Sequence, residues 1–321
     1  MMERNTKLSV IRIVCALILI AAVVISVSSI FRFSYDSFAD SEKYAVGNAE
    51  ITEKITNLDI DWTSGTVNVA YHNDDTIVLN ETSKTEIRKD RQMCWLVDGD
   101  TLHIRYMKPG FHLSNILQIF GNSDKALTIT LPESLNLKEA KIAATSADLD
   151  IPSLKAETLA LSVTSGDIRA CADARHISAE MTSGDVDLTS ENKAEEISVS
   201  TTSGDISIKA GDADTLHAKT TSGTITAETG SLKDISAATT SGNIILKTKA
   251  FDSIDIHATS GDVRAELPEK PGFTASIHTT SGDINHELPL TLENGSYISG
   301  DGSGKVNIDT TSGDVVIAGS D

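Results

Sequence analysis

Acidic, hydroxyl and imidazole side chains recur along this chain at fixed spacing, and their possible chemistry comes first. Thr-Ser-Gly-Asp, or a near copy, begins at Thr63, Thr145, Thr164, Thr182, Thr202, Thr221, Thr240, Thr259, Thr280 and Thr311. Its acid supplies Asp148, Asp167, Asp185, Asp205, Asp262, Asp283 and Asp314. Stacked copies would align these carboxylates as a ladder, and a hard cation such as Ca²⁺ takes carboxylate oxygens as ligands. A dedicated calcium repeat brings several oxygen ligands per site and extra glycines. Here Thr224 and Asn243 interrupt the acids. The favoured reading is therefore local: each Asp accepts hydrogen bonds from N–H groups at its own bend, as in an Asx turn. It implies no metal and no cofactor.

Other chemistry fares no better. His257 and His278 share one outward position in successive copies and would be stacked neighbours, a metal-binding or pH-sensitive pair; a solvated face is the plainer reading. An ice-binding face needs outward Thr-x-Thr pairs, whereas here one Thr points in and the next out. A glycosidase needs carboxylates placed uniquely in one cleft, but nearly every carboxylate outside the connectors is explained by its repeat position. Ser303, in Gly-Asp-Gly-Ser-Gly-Lys, has neither the spacing of a nucleophile elbow nor that of a phosphate loop. The chain is read as non-enzymatic.

The elements that would position these residues are strands. From 145 to 280 the motif steps by 18–21 residues, a period that indicates a solenoid. Before each motif, apolar residues alternate with polar ones, as in Ile197/Val199, Leu216/Ala218 and Ile254/Ile256. Period two marks a half-buried strand. After the motif Ile or Val returns four positions on, as in Ile168, Ile206 and Ile244, so the inward set changes parity across Ser-Gly-Asp. A straight strand cannot change parity, but a bend can, and glycine takes the positive φ a bend needs. Gly65, Gly166, Gly184, Gly204, Gly223, Gly242, Gly261, Gly282 and Gly313 are the expected corners. Inward Thr residues just before the motif should hydrogen-bond along the stack. The expected fold is all-β: a parallel β-solenoid of about nineteen-residue repeats. Its turns stack in sequence order over residues 145–321. Residues 51–144 form an N-terminal meander that caps it, with 111–120 a short helix or loop. A Pro- and Gly-containing insertion at 285–305 precedes the last coil.

Residues 13–30 are almost wholly apolar, with Leu8 to Ile11 extending them, enough to span a bilayer as a helix. Arg4, Lys7 and Arg12 precede the run, which places the N-terminus in the cytoplasm and the rest outside. A cleaved signal peptide shares that positive start, but the run is long and no clear Ala-x-Ala site closes it. The expected organisation is an anchor at 1–32, a juxtamembrane linker at 33–50 and an extracellular remainder. Net charge is −19 for the whole chain. Residues 1–32 hold four of the 27 Lys+Arg and one of the 46 Asp+Glu, so the exported part carries −22. That excludes nucleic acid as a partner, since phosphate binding needs clustered Lys and Arg. Cys15, Cys94 and Cys171 show no metal or framework spacing and read as free thiols.

Thr-Thr-Ser-Gly-Asp-Ile/Val repeated after one N-terminal helix, with Leu-Thr-Ile-Thr-Leu-Pro at 127–132, resembles the bacterial "putative adhesin" β-strand-repeat domains. The membrane-anchored LiaG-like proteins are in that group. The resemblance covers about residues 50–321; Ala147, Thr224 and Asn243 depart from its strongest repeat. It implies an exported, anchored solenoid, often encoded near envelope-stress regulators, and supplies no active-site residues. The expected role is a surface binding module for cell-wall polymer, another cell or an envelope protein. The alternative is a regulator acting through a membrane partner. Oligomeric state is left open.

Overall fold

The computed structural model of the protein describes residues 41–108 and 125–320. The apolar run at 13–30, the linker up to residue 40 and the 111–120 stretch lie outside these. Among the described residues no helix is long and apolar enough to cross a membrane.

The chain is all-β, and its strands stack in parallel, coil upon coil. The strand Leu137–Ser165 pairs with Asn57–His72 on one side and with Ile168–Ser183 on the other. Two parallel ladders then run side by side. One passes through Ala194–Ser203, Ala213–Ser222, Ile225–Ser241 and Ser253–Ser260. The other passes through Val186–Ser190, Ile206–Ala210, Ile225–Ser241, Ile244–Ala250 and Val263–Leu267. The inward residues form columns, such as Ile177, Ile197, Leu216, Ile235 and Ile254, each 2% exposed or less. A buried aliphatic side chain stabilises by about 1.5–3 kcal/mol. Ordering each backbone residue costs about 1–2 kcal/mol. One coil cannot offset that alone, so the stack is the stable unit.

Stacking already begins at Asn57. A further coil, Thr101–Arg105 with Ala126–Pro132, lies on the far side of the strand Asn57–His72. Antiparallel strands close that end: Ile77–Thr82 pairs with Ala126–Pro132, and Cys94–Asp98 with Thr101–Arg105. Two short strands, Ala49–Ile51 and Ala45–Val46, finish the edge. Short edge strands limit further pairing.

The other end departs from the sequence-order expectation. The strands Gly304–Ser312 and Val315–Gly319, last in the chain, are not last in the stack. They lie between the 253–267 coil and the 272–286 coil, pairing in parallel with both. Registers Ile254↔Val306↔Ala275 and Ser260↔Ser312↔Ser281 explain how. The three coils carry the same inward and outward pattern, so any of them can occupy the middle level. The intervening segment forms the antiparallel hairpin Thr291–Glu293 and Ser296–Gly300, which pairs with residues 272–275 of the terminal strand.

Candidate functional site

The corner column is the feature that every coil shares. At Gly184 φ is +131°, and a Cβ there would overlap the carbonyl of Gly166 one coil away. Both facts exclude a side chain. The N–H groups of Gly166, Gly184, Gly204, Gly223, Gly242, Gly261 and Gly313 donate to a serine carbonyl of the neighbouring coil, as from Gly184 to Ser203 at 2.9 Å. Gly65, Gly166, Gly204, Gly223, Gly242, Gly261, Gly282 and Gly313 also have positive φ.

The acids do not form local turns, which corrects the expectation of an Asx turn within each bend. The carboxylates of Asp148, Asp167, Asp185, Asp205, Asp262 and Asp314 reach the next coil instead. Asp148 Oδ1 accepts from the Asp167 N–H at 2.9 Å, Asp167 from Asp185 at 3.1 Å and Asp185 from Asp205 at 2.8 Å. Asp205 then accepts from Thr224 at 2.7 Å, and the amide oxygen of Asn243 accepts from Asp262 at 2.9 Å. Asp262 accepts from Asp314 at 2.9 Å, and Asp314 from Asp283 at 2.8 Å. Parallel coils hold the neighbour's N–H ~4.8 Å along the axis, within reach of the short Asp side chain. Among the described residues no group of three His, Cys, Asp or Glu side chains is placed to hold a metal ion. Inward hydroxyls add a second ladder: Thr220 Oγ1 donates to the Gly204 carbonyl and Thr239 Oγ1 to that of Gly223, both at 3.3 Å.

Outside the corner lie exposed hydroxyls. Ser165, Ser183, Ser203, Ser222, Ser241, Ser260, Ser312 and Ser281 form one unbroken register over eight coils. The adjacent outward Thr residues, including Thr221, Thr240, Thr259 and Thr311, are exposed as well. A shallow open groove of ≈ 330 Å³ runs beside them. His257 and His278 both line it but are not stacked neighbours, which corrects the sequence reading. The inserted coil places Asp309 between them, paired in register with each. His257 contacts the carboxylates of Asp255 at 3.0 Å and Asp309 at 3.6 Å.

Two polar clusters at the closed end were not legible from sequence. Lys125 is 2% exposed. Its ammonium meets Glu81 at 2.5 Å and donates to the carbonyls of Arg91 and Tyr106, both at 2.7 Å. It also lies 3.7 Å from the Tyr106 ring centroid, a cation–π contact. Burial pulls the Lys125 pKa below its usual range, while Glu81 opposes that. Register Thr66↔Ala126 places Lys125 beside Gly65, so its carbonyl takes the place of a corner glycine's. Nothing marks it in sequence, because it falls in the stretch 66–144, which carries no copy of the motif.

The second cluster centres on Asp59, which contacts His103 at 2.8 Å and Arg105 at 2.6 Å. Burial acts to raise its pKa, but the His103 and Arg105 contacts outweigh burial and hold it below the usual range. Two residues on, burial pushes Asp61 up to about 6, against the pull of Arg105. Cys94 is buried, which pushes its thiol up to about 12; Cys171 is half-buried, and both are free. A buried thiol of that kind is inert.

Residues 55–318 match the Toastrack DUF4097 family. The chain belongs to that family. The Toastrack match spans the coils from the strand Asn57–His72 onward and agrees with the all-β, solenoid-like architecture. Among solved structures, the protein is similar to a "putative cell adhesion protein" of Clostridium sporogenes. The two are 12% identical over 85% of this chain and 99% of that one, with a TM-score of 0.21. A "putative adhesin" of Bacteroides fragilis is 12% identical over 85% and 97%, with a TM-score of 0.40. A "putative lipid binding protein" of Parabacteroides distasonis is 13% identical over 84% and 95%, with a TM-score of 0.39. No curated protein matches the chain.

Proposed function

We propose that this Toastrack protein is a non-enzymatic surface module, anchored by residues 1–32 with its solenoid outside the membrane. The solenoid binds a repeating envelope polymer along its exposed hydroxyl face. The observation that supports this is the serine register from Ser165 to Ser281, flanked by exposed threonines on the same coils. Hydroxyls at ~4.8 Å intervals offer both donors and acceptors to a glycan whose own hydroxyls repeat along its length. The surrounding charge is acidic, which favours a neutral or cationic polymer over an anionic one.

The test is co-sedimentation of residues 33–321 with isolated cell wall. Binding should saturate, and it should fall at least tenfold when Thr221, Thr240 and Thr259 are each replaced by Glu. Unchanged binding by that variant would remove the hydroxyl face from the account. A regulatory role through a membrane partner would instead be lost on deleting residues 1–32, with wall binding unaffected.

A further inference from the structure

At every inner corner a coil gives hydrogen bonds to the next one. The glycine N–H donates to a serine carbonyl, and the Ile or Val two residues on donates to the carbonyl of the next motif's fourth residue. Gly261 to Ser312 and Val263 to Asp314, both at 2.9 Å, are examples. The 272–286 coil ends the stack, and it receives such bonds from Gly313 and Val315. Its own Gly282 and Ile284 N–H groups, and its Asp283 carboxylate, have no next coil among the described residues. The hairpin strand Ser296–Gly300 covers only residues 272–275 of this edge. Among the described residues no strand covers 276–281, which form an open strand edge. Ile277 and Ile284 are half-exposed there, although the matching Ile308 and Val315 of the coil beneath are fully buried.

We propose that this edge pairs with the same edge of a second copy of the chain, forming a two-fold antiparallel dimer. Three observations favour a second copy. The coil-to-coil hydrogen-bonding surface continues to this edge and stops there with its donors unused. The opposite end of the stack is closed by antiparallel strands, so head-to-tail stacking has no acceptor end. Only like ends can meet, which makes the contact isologous and closes it at two copies. Residues 276–281, Ser-Ile-His-Thr-Thr-Ser, carry no acid in a chain of net charge −19, so the paired strip is not self-repelling. Two copies joined this way point their entering chains in opposite directions. If each is anchored, a point that rests on the proposed function above, the dimer joins two surfaces.

The test measures the mass of the full-length protein by light scattering across a concentration series, with hydrogen exchange in parallel. A mass approaching twice that of the monomer, with residues 276–284 gaining protection as concentration rises, is expected. Substituting Ser276→Lys and Thr280→Lys places like charges across the two-fold and should return the monomer, with a melting temperature equal to that of the unaltered protein at concentrations too low for it to dimerise. A monomer at all concentrations, or a dimer whose added protection lies elsewhere, would overturn the proposal. If the variant fails to fold, the exchange pattern of the unaltered protein still decides.

Discussion

The carboxylate of Asp185 accepts a hydrogen bond from the main-chain N–H of Asp205, 2.8 Å away and one coil further along the stack. The two residues are twenty apart in sequence, and their contact exists only because coils lie in register. Each such bond ties one coil to the next at the point where the chain bends and ladder pairing is thinnest. Truncation of Asp185 to Ala should lower stability by about 1–2 kcal/mol. Asp185→Asn should cost less than half as much, because Asn243 makes the same bond elsewhere in the stack. Urea unfolding of the two variants measures the difference. Adding or chelating Ca²⁺ should move neither midpoint, since the Oδ1 atoms already serve backbone donors.

A corner glycine is held by two constraints, and a control separates them. Gly184→Ala combines a left-handed φ with overlap of the Gly166 carbonyl. Strain of about 1–3 kcal/mol and overpacking of about 1–3 kcal/mol then add. Gly99 has φ +61° but nothing within 4 Å of the would-be Cβ. Gly99→Ala should therefore cost only about 1 kcal/mol. Similar losses at the two sites would mean that the coils do not approach as closely as the corner geometry requires.

The Lys125–Glu81 pair should behave as a buried ion pair that is costly to break and cheap to remove. Glu81→Ala strands the ammonium and also frees the Met93 N–H, which Glu81 accepts at 3.0 Å. A loss of about 3–5 kcal/mol is expected. The double variant Glu81→Leu/Lys125→Met should recover more than half of that. Thermal unfolding of the single and double variants forms the cycle.

Asp61 gives the protein a pH dependence of opposite sign to the usual acidic residue. Its folded pKa of about 6 lies above the ordinary aspartate value of 3.8, and burial is the main cause. Between those values the native state binds the proton more tightly than the unfolded chain does. This contribution to stability is greatest at low pH and is lost as pH rises from about 4 through about 6. Asp61→Asn should therefore stabilise the protein at pH 7.5 by about 2–3 kcal/mol, and the gain should vanish by pH 4. Paired urea titrations at the two pH values measure it. A gain that grows on acidification would reverse the assigned direction.

What a sequence shows of such a protein follows from what repeats. The bend and the inward columns were legible because Gly204 and Ile206, or Gly242 and Ile244, recur in one frame. The partner of each coil was not legible. Val306 matches the pattern of Ile254 and Ala275 equally well, so periodicity says what a coil is and not where it stacks. For the same reason Asp309 could not be foreseen between His257 and His278. The target of the Asp side chains was likewise hidden, since a local turn and a neighbouring coil offer chemically identical N–H groups. At the closed end, Asp59 and Asp61 precede the first copy of the motif and belong to no copy of it. Their partners His103 and Arg105 lie more than forty residues away, without a motif to connect them.

The order of the last coils is the most direct test of the stacked architecture. Adjacent coils place paired Cα atoms ~4.8 Å apart, within the range a disulfide spans, whereas a coil two levels away is ~10 Å off and beyond it. The measurement is disulfide formation under mild oxidation in two double variants, followed by mass spectrometry. His257→Cys with Asp309→Cys should cross-link, and His257→Cys with His278→Cys should not. Efficient cross-linking of the 257/278 pair, with none in the 257/309 pair, would contradict the intercalated order and return the stack to simple sequence order.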